Sequence, residues 1–269
     1  MAKRKSMGKN VYSQIWQERF LRLWHLVLVL AVMIPLGYTG YLLYNRIFKS
    51  DIFMIKETKV EGYNKLTKTD IQNAIHIPKG SRLFDIKIGD IAQRLKTHPY
   101  VKNVSVRRIF PQTLAIELQE REPYVVLVRW KKYYEIDREG YVLKIFKNPK
   151  SYNQEQPLVK GLRYLKGKLL LGQKVNSHKV KKAIEVMNFF LVSDVAMSLT
   201  VKEINMGNIK QVILITKEGI KIQLGGSEFK EKLESLAVLL EQKKESIFNA
   251  SYVDLRFGGV IIRPKRIRS

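Results

Sequence analysis

Residues 23–45 read LWHLVLVLAVMIPLGYTGYLLYN, and no Asp, Glu, Lys or Arg interrupts them. At roughly 1.5 Å of helical rise per residue the stretch covers about 34 Å, enough to cross a hydrocarbon core of roughly 30 Å. Pro35, Gly37 and Gly40 are compatible with a membrane helix. Trp24 lies near one end, and Tyr41 and Tyr44 near the other, where amphipathic rings favour the membrane–water interfaces. A cleaved signal peptide would carry a shorter apolar run and a small-residue cleavage site, and no A-x-A-like site follows. The stretch reads as an anchor. It divides the chain into a basic tail over 1–22, a crossing over 23–45, a connector over 46–51 and a long remainder.

Working outward, the tail carries Lys3, Arg4, Lys5, Lys9, Arg19 and Arg22 against Glu18 alone. The sequence just after the crossing carries fewer cations, Arg46, Lys49, Lys56 and Lys59. This excess favours an N-terminus in the cytoplasm and a C-terminal part outside the membrane. The formal net charge of +25 favours polyanions such as anionic lipid heads or wall polymers. The same charge also serves solubility, because the cations are spread along the whole chain. An external position argues against nucleic acid as the partner.

The chain has no cysteine, so neither disulfides nor thiolate metal sites enter the argument. His25, His76, His98 and His178 show no metal-ligand spacing. GxSxG, P-loop and HExxH patterns are absent, and Gly225-Gly226 suits a turn better than a phosphate cradle. The expectation is a protein with no catalytic residues, no cofactor and no metal.

After the connector, 52–61 reads as a strand closed by Gly62. Thr67 is placed to cap a helix, with Asp70 three residues on and Leu66 and Ile71 positioned as a hydrophobic staple. Pro78-Lys79-Gly80 marks a turn. Asp85 reads as the cap of a second helix whose apolar face is Ile88, Ile91, Ala92 and Leu95, and Pro99 ends it. Strands are expected over 101–109 and 113–120, the second alternating Leu114, Ile116 and Leu118 with Glu117 and Gln119. The order over 52–122 is β-α-α-β-β, with helices covering one face of the sheet.

Residues 123–264 read as a second domain. Strands are expected at 124–130, 133–136, 141–143, 201–206, 212–216 and 220–224, with a loop over 148–157. Val180, Ala183, Ile184, Met187 and Leu191 mark one amphipathic helix. Phe229, Leu233, Leu236 and Leu240 mark another, capped by Ser227 and ending in Lys243-Lys244. The stretch 252–262 closes the fold, and 265–269 is a basic tail. The class is α+β: one transmembrane helix, a β-α-α-β-β domain, and a second mixed domain built on an antiparallel-rich sheet with two helices.

Several motifs fall in a fixed order. They are Val60-Glu61-Gly62, Gly80-Ser81-Arg82-Leu83-Phe84-Asp85, His98-Pro99-Tyr100-Val101, Val106-Arg107-Arg108-Ile109-Phe110-Pro111-Gln112-Thr113-Leu114 and Glu120-Arg121-Glu122-Pro123. Together they resemble the POTRA domain of the FtsQ/DivIB bacterial cell-division proteins. Tyr252-Val253-Asp254-Leu255-Arg256 with Phe257 is similar to the C-terminal signature of that family. The resemblance implies a divisome scaffold of the cell membrane, enriched at the division septum. Its external domains would dock FtsL-like and FtsB/DivIC-like proteins and help assemble and regulate septal peptidoglycan synthesis. It further implies that the last strand is an edge extended by a partner segment. The candidate partner-binding residues are then Tyr252, Asp254, Arg256, Phe257, Gly259, Val260, Ile261 and Ile262, with Gly258-Gly259 at the turn. Two other readings compete: a POTRA-bearing membrane chaperone, which would call for repeated units and a β-barrel, and a polyanion-binding envelope protein.

Overall fold

Helix α1 (Lys9–Phe48) contains the apolar stretch and carries Pro35 within it. Along Arg19–Ile47 it is long and apolar enough to cross a membrane, and none of that stretch is buried against protein. Residues 9–22 of the basic tail belong to this same helix. The computed structural model describes residues 9–48, 51–148, 155–257 and 259–265. Parts of four expected features lie outside those residues: the start of the basic tail, connector positions 49–50, loop positions 149–154 and Gly258, together with the terminal 266–269.

The chain divides into two compact units. The first takes in α1, the segment up to Lys59, Ile77–Ile88 and Arg107–Ala115; the second takes in Val60–His76, Gly89–Val106 and the chain from Ile116 onward. A three-stranded sheet in the order β1-β3-β2 is made from β1 (Glu57–Glu61), β2 (Val101–Ile109) and β3 (Thr113–Glu120). With α2 (Lys68–Ile75) and α3 (Ile88–Lys96), the expected β-α-α-β-β order is present.

In the first unit the strand expected from residue 52 begins later. Asp51–Phe53 forms a 3-10 turn, closed by the Met54 N–H on the Asp51 carbonyl at 3.1 Å. Neighbouring loops then take the backbone groups, with Ile55 N–H donating to Ser81 O (3.0 Å) and Lys56 N–H to Gln112 O (3.0 Å). Asp85 does not cap α3. Its N–H closes a turn on Arg82 O (3.1 Å), and the helix starts three residues later at Ile88.

In the second unit α2 starts as its sequence dictates. Thr67 Oγ1 accepts from Asp70 N–H (3.1 Å), and an Asp70 carboxylate oxygen accepts from Thr67 N–H (3.0 Å). This reciprocal box satisfies two of the helix's unpaired donors. Leu66 and Ile71 are buried beside it. Gly62 sits at φ +79, and a Cβ there would lie 2.0 Å from Leu118 O, so only glycine lets the chain pass.

The rest of the second unit is a nine-stranded sheet in the order β12-β11-β10-β9-β8-β7-β4-β5-β6. Its strands are β4 (Val125–Arg129), β5 (Lys132–Ile136), β6 (Val142–Phe146), β7 (Leu158–Lys160), β8 (Val201–Asn205), β9 (Val212–Thr216), β10 (Lys221–Gly225), β11 (Ala250–Phe257) and β12 (Gly259–Pro264). Strand β7 was not expected. Three residues are too short to show an alternation, and its place comes from parallel pairing with β4 on one side and β8 on the other. A third parallel pair joins β10 to β11, and the remaining neighbours are antiparallel.

Two long helices, α4 (His178–Val192) and α6 (Phe229–Gln242), are accompanied by the short α5 (Val195–Ser198) and α7 (Lys244–Phe248). Helices α6 and α7 fill the crossover between β10 and β11, as parallel neighbours require. The stripe Phe229, Leu233, Leu236 and Leu240 is buried in one core with Phe190, Leu214 and Val253. Ser227 is not the cap of α6. Glu228 occupies that position at φ +55 without a side-chain cap bond, and Ser227 O instead accepts Lys232 Nζ at 2.8 Å. Lys244 opens α7 rather than closing α6.

Candidate partner-binding edge

Strands β11 and β12 form an antiparallel hairpin that ends the sheet. Val253 pairs with Ile262 and Asp254 with Ile261, so the two faces of the hairpin differ. On one face Val253 and Leu255 are buried, and Val260 and Ile262 pack against the same core. On the other, Ile261 is 58% exposed opposite Asp254. Among the described residues β12 pairs only with β11, so its outer margin is a sheet edge.

Alternation explains the chemistry of β11. Tyr252, Asp254 and Arg256 lie two apart and share one face. Tyr252's hydroxyl is hydrogen-bonded to Gln223 of β10 and to Asp254 Oδ2 (2.9 Å). Arg256 grips the same carboxylate, Nε at 3.0 Å from Oδ1 and Nη2 at 2.8 Å from Oδ2, while its N–H donates to Oδ1 at 3.1 Å. These bonds from Arg256, opposed by burial, hold the Asp254 carboxyl down to about 2. Burial, with the bond to Asp254, pushes the Tyr252 phenol above its ordinary value. The Arg256 guanidinium also lies 5.1 Å from the Phe257 ring centre, a cation–π contact.

The structure therefore sorts the expected site residues. Tyr252, Asp254 and Arg256 form an internal network, with Asp254 almost buried. Phe257 is the last residue of β11, and it is 66% exposed. Gly259, Val260, Ile261 and Ile262 all lie on β12. Gly258 lies outside the described residues.

Side chains from α6 join them. A pocket of about 200 Å³ is lined by Leu255, Phe257, Gly259 and Val260 together with Glu231 and Ser235. Sequence reading missed the α6 residues and Gln223. The only signal was the helical stripe itself, which shows the buried side of α6 and not what borders its exposed side. Among the described residues, no group of histidine and carboxylate side chains gathers closely enough to hold a metal ion. The arrangement suits recognition: a backbone edge and a mixed pocket whose apolar floor of Leu255, Phe257 and Val260 is bordered by Glu228, Glu231, Lys232 and by Arg256 of the charged network.

Two family models match the chain: the POTRA domain, FtsQ-type, over residues 53–121, and the cell division protein FtsQ/DivIB C-terminal region over 128–256. The second match stops one residue before Phe257, so β12 lies beyond it. A cell division protein FtsQ from Geobacter sp. (strain M21) is 25% identical over 236 residues, covering 87% of this chain and 84% of that protein. A cell division protein DivIB from Clostridium acetobutylicum is 28% identical over 216 residues, covering 78% and 82%. A cell division protein FtsQ from Rickettsia felis is 29% identical over 206 residues, covering 76% and 69%. Both family models fall in order behind the apolar helix, and the chain belongs to the FtsQ/DivIB family of cell-division proteins.

Proposed function

We propose that this chain is a single-pass divisome scaffold. Helix α1 anchors it with the N-terminus in the cytoplasm and the folded parts outside, concentrated at the septum. In this reading 1–22 is the cytoplasmic segment, 23–45 the crossing, 46–51 the connector, 52–122 the POTRA domain, 123–264 the β domain and 265–269 a basic tail. The β12 margin captures an extended segment of another single-pass division protein, FtsB/DivIC-like or FtsL-like. The outcome is assembly and regulation of septal peptidoglycan synthesis.

The observation that carries the reading is the edge position of β12. An unpaired strand margin is a template for an added strand: backbone hydrogen bonds supply affinity, and flanking pockets supply register. The Leu255–Val260 pocket and exposed Phe257 lie beside that margin. The test is deletion of residues 259–269 in the full-length chain, read by co-purification of division proteins from dividing cells and by midcell fluorescence. Loss of partner capture with the remaining fold intact is the expected result. Undiminished capture by the truncated chain would sink the edge-strand reading.

A further inference from the structure

The first unit ends in a tip built from three segments. Leu83 N–H donates to Phe53 O (2.8 Å), and Ile55 N–H to Ser81 O (3.0 Å). Arg108 reaches across to Leu83 O (2.8 Å) and Ile86 O (2.7 Å). Phe53, Phe84 and Phe110 meet at the centre, with ring centres 4.9 Å (Phe53–Phe84), 6.4 Å (Phe53–Phe110) and 5.5 Å (Phe84–Phe110) apart. This apolar tip is not covered. Ile52 is 62% exposed, Phe110 59% and Ile109 48%. Exposed cations border it in sequence, Lys56, Lys79, Lys87 and Arg107, and so do the exposed carboxylates Asp51, Glu57 and Asp85.

We propose that this tip is a membrane-docking wedge, in which Ile52, Ile109 and Phe110 enter the headgroup layer of an anionic bilayer and the bordering Lys56, Lys79, Lys87 and Arg107 meet its phosphates. The inference rests on the reading of α1 as a membrane span. Chain length supports it. Ile52 lies four residues beyond Phe48, the end of α1. At no more than about 3.6 Å per residue that leaves at most about 14 Å of chain. The headgroup layer on each face is itself roughly 5–8 Å deep. A tip tied this closely to the end of a membrane helix stays beside the headgroups. Exposed aromatic and aliphatic side chains with lysine and arginine close by in the chain are a composition that partitions into such a layer. The wedge would orient the folded part against the membrane, beyond what a single tether can do.

The chain has no cysteine, so a single introduced thiol is a unique label. Full-length Phe110→Cys, Ile52→Cys, Leu30→Cys and Tyr164→Cys variants would each carry an environment-sensitive fluorophore. Each would be placed in nanodiscs of phosphatidylethanolamine and phosphatidylglycerol, one chain per disc. The readouts are quenching by spin-labelled lipids and by aqueous iodide. Expected are strong lipid quenching at 30, headgroup-level lipid quenching with several-fold protection from iodide at 52 and 110, and full iodide access at 164. Replacing phosphatidylglycerol by phosphatidylcholine should weaken protection at 52 and 110 and leave 30 unchanged. Position 110 as open to iodide as 164, with 30 still in lipid, overturns the wedge while the anchor stands. Loss of lipid quenching at 30 overturns both. Protection at 110 that requires two chains per disc assigns the surface to a second copy and likewise overturns the wedge.

Discussion

Arg121 Nη1 lies 2.5 Å from Asp137 Oδ2, and both side chains are almost buried, 10% and 6% exposed. The pair joins the end of β3 to the turn between β5 and β6. The same guanidinium reaches Glu139 (3.2 Å) and covers the Tyr141 ring, 3.7 Å from its centre. Asp137 Oδ1 is occupied by Glu139 N–H (2.9 Å) and Tyr141 N–H (2.8 Å). Tyr100 adds a bond to Glu135 Oε2 at 2.6 Å. This cluster links the β-α-α-β-β part to the nine-stranded sheet.

Removing one partner of a buried ion pair leaves the other charge uncompensated, at a cost of about 3–5 kcal/mol. Arg121→Ala should therefore lower stability by about that much. Asp137→Asn, which keeps an acceptor for the turn N–H groups, should cost less. Urea denaturation of the detergent-solubilised chain, followed by circular dichroism, checks the order of the two.

Asp254 yields a pH prediction. Its carboxyl is held down from 3.8 to about 2 in the folded chain. A lowered folded value means the charged form favours folding, so the contribution is complete above about pH 4 and is lost as pH falls toward 2. The wild-type chain should lose stability across that window. Arg256→Ala, lacking the main cause of the shift, should lose less there and start from a lower plateau. Acid titration of the two proteins side by side gives the comparison, and identical acid slopes would contradict it.

Gly62→Ala should be severe. The new Cβ would meet Leu118 O at 2.0 Å, and the backbone already sits at φ +79. A left-handed residue bearing a side chain costs of order 1–3 kcal/mol before the clash is counted. We expect a loss above about 2 kcal/mol, with hydrogen exchange accelerated first in β3.

Ile261→Lys separates fold from function. The residue is exposed on the last strand, so stability should stay within about 0.5 kcal/mol of wild type. Under the proposed edge capture, partner co-purification should fall, because a flanking apolar contact is replaced by a charge. Equal capture by the two proteins would count against a role for this face.

Much of this molecule was legible because its signals are local. The Thr67–Asp70 capping box is a three-residue interaction, and α2 begins where it says. Leu114, Ile116 and Leu118 alternate, and all three are buried. The stripe Phe229, Leu233, Leu236 and Leu240 repeats at helical spacing and faces the core. Asp85 and Ser227 failed as caps for an equally local reason. A small polar residue suits turns as well as helix starts: Asp85 N–H closes a turn on Arg82 O, and the chain enters α6 through Glu228 at φ +55.

The sequence by itself determined the apolar helix, the β-α-α-β-β order and the α+β class, since each rests on spacing along the chain, while the last signature was legible through the family resemblance. Only the tertiary structure decided that residues 158–160 form a strand between β4 and β8, that Asp254 is locked inward by Arg256 and Gln223's neighbour Tyr252, and that β12 stands at the edge. The physical reason is pairing. A strand's neighbours are chosen by hydrogen bonds between segments far apart in sequence. Whether an apolar strand is central or marginal depends on which of its two sides finds a partner.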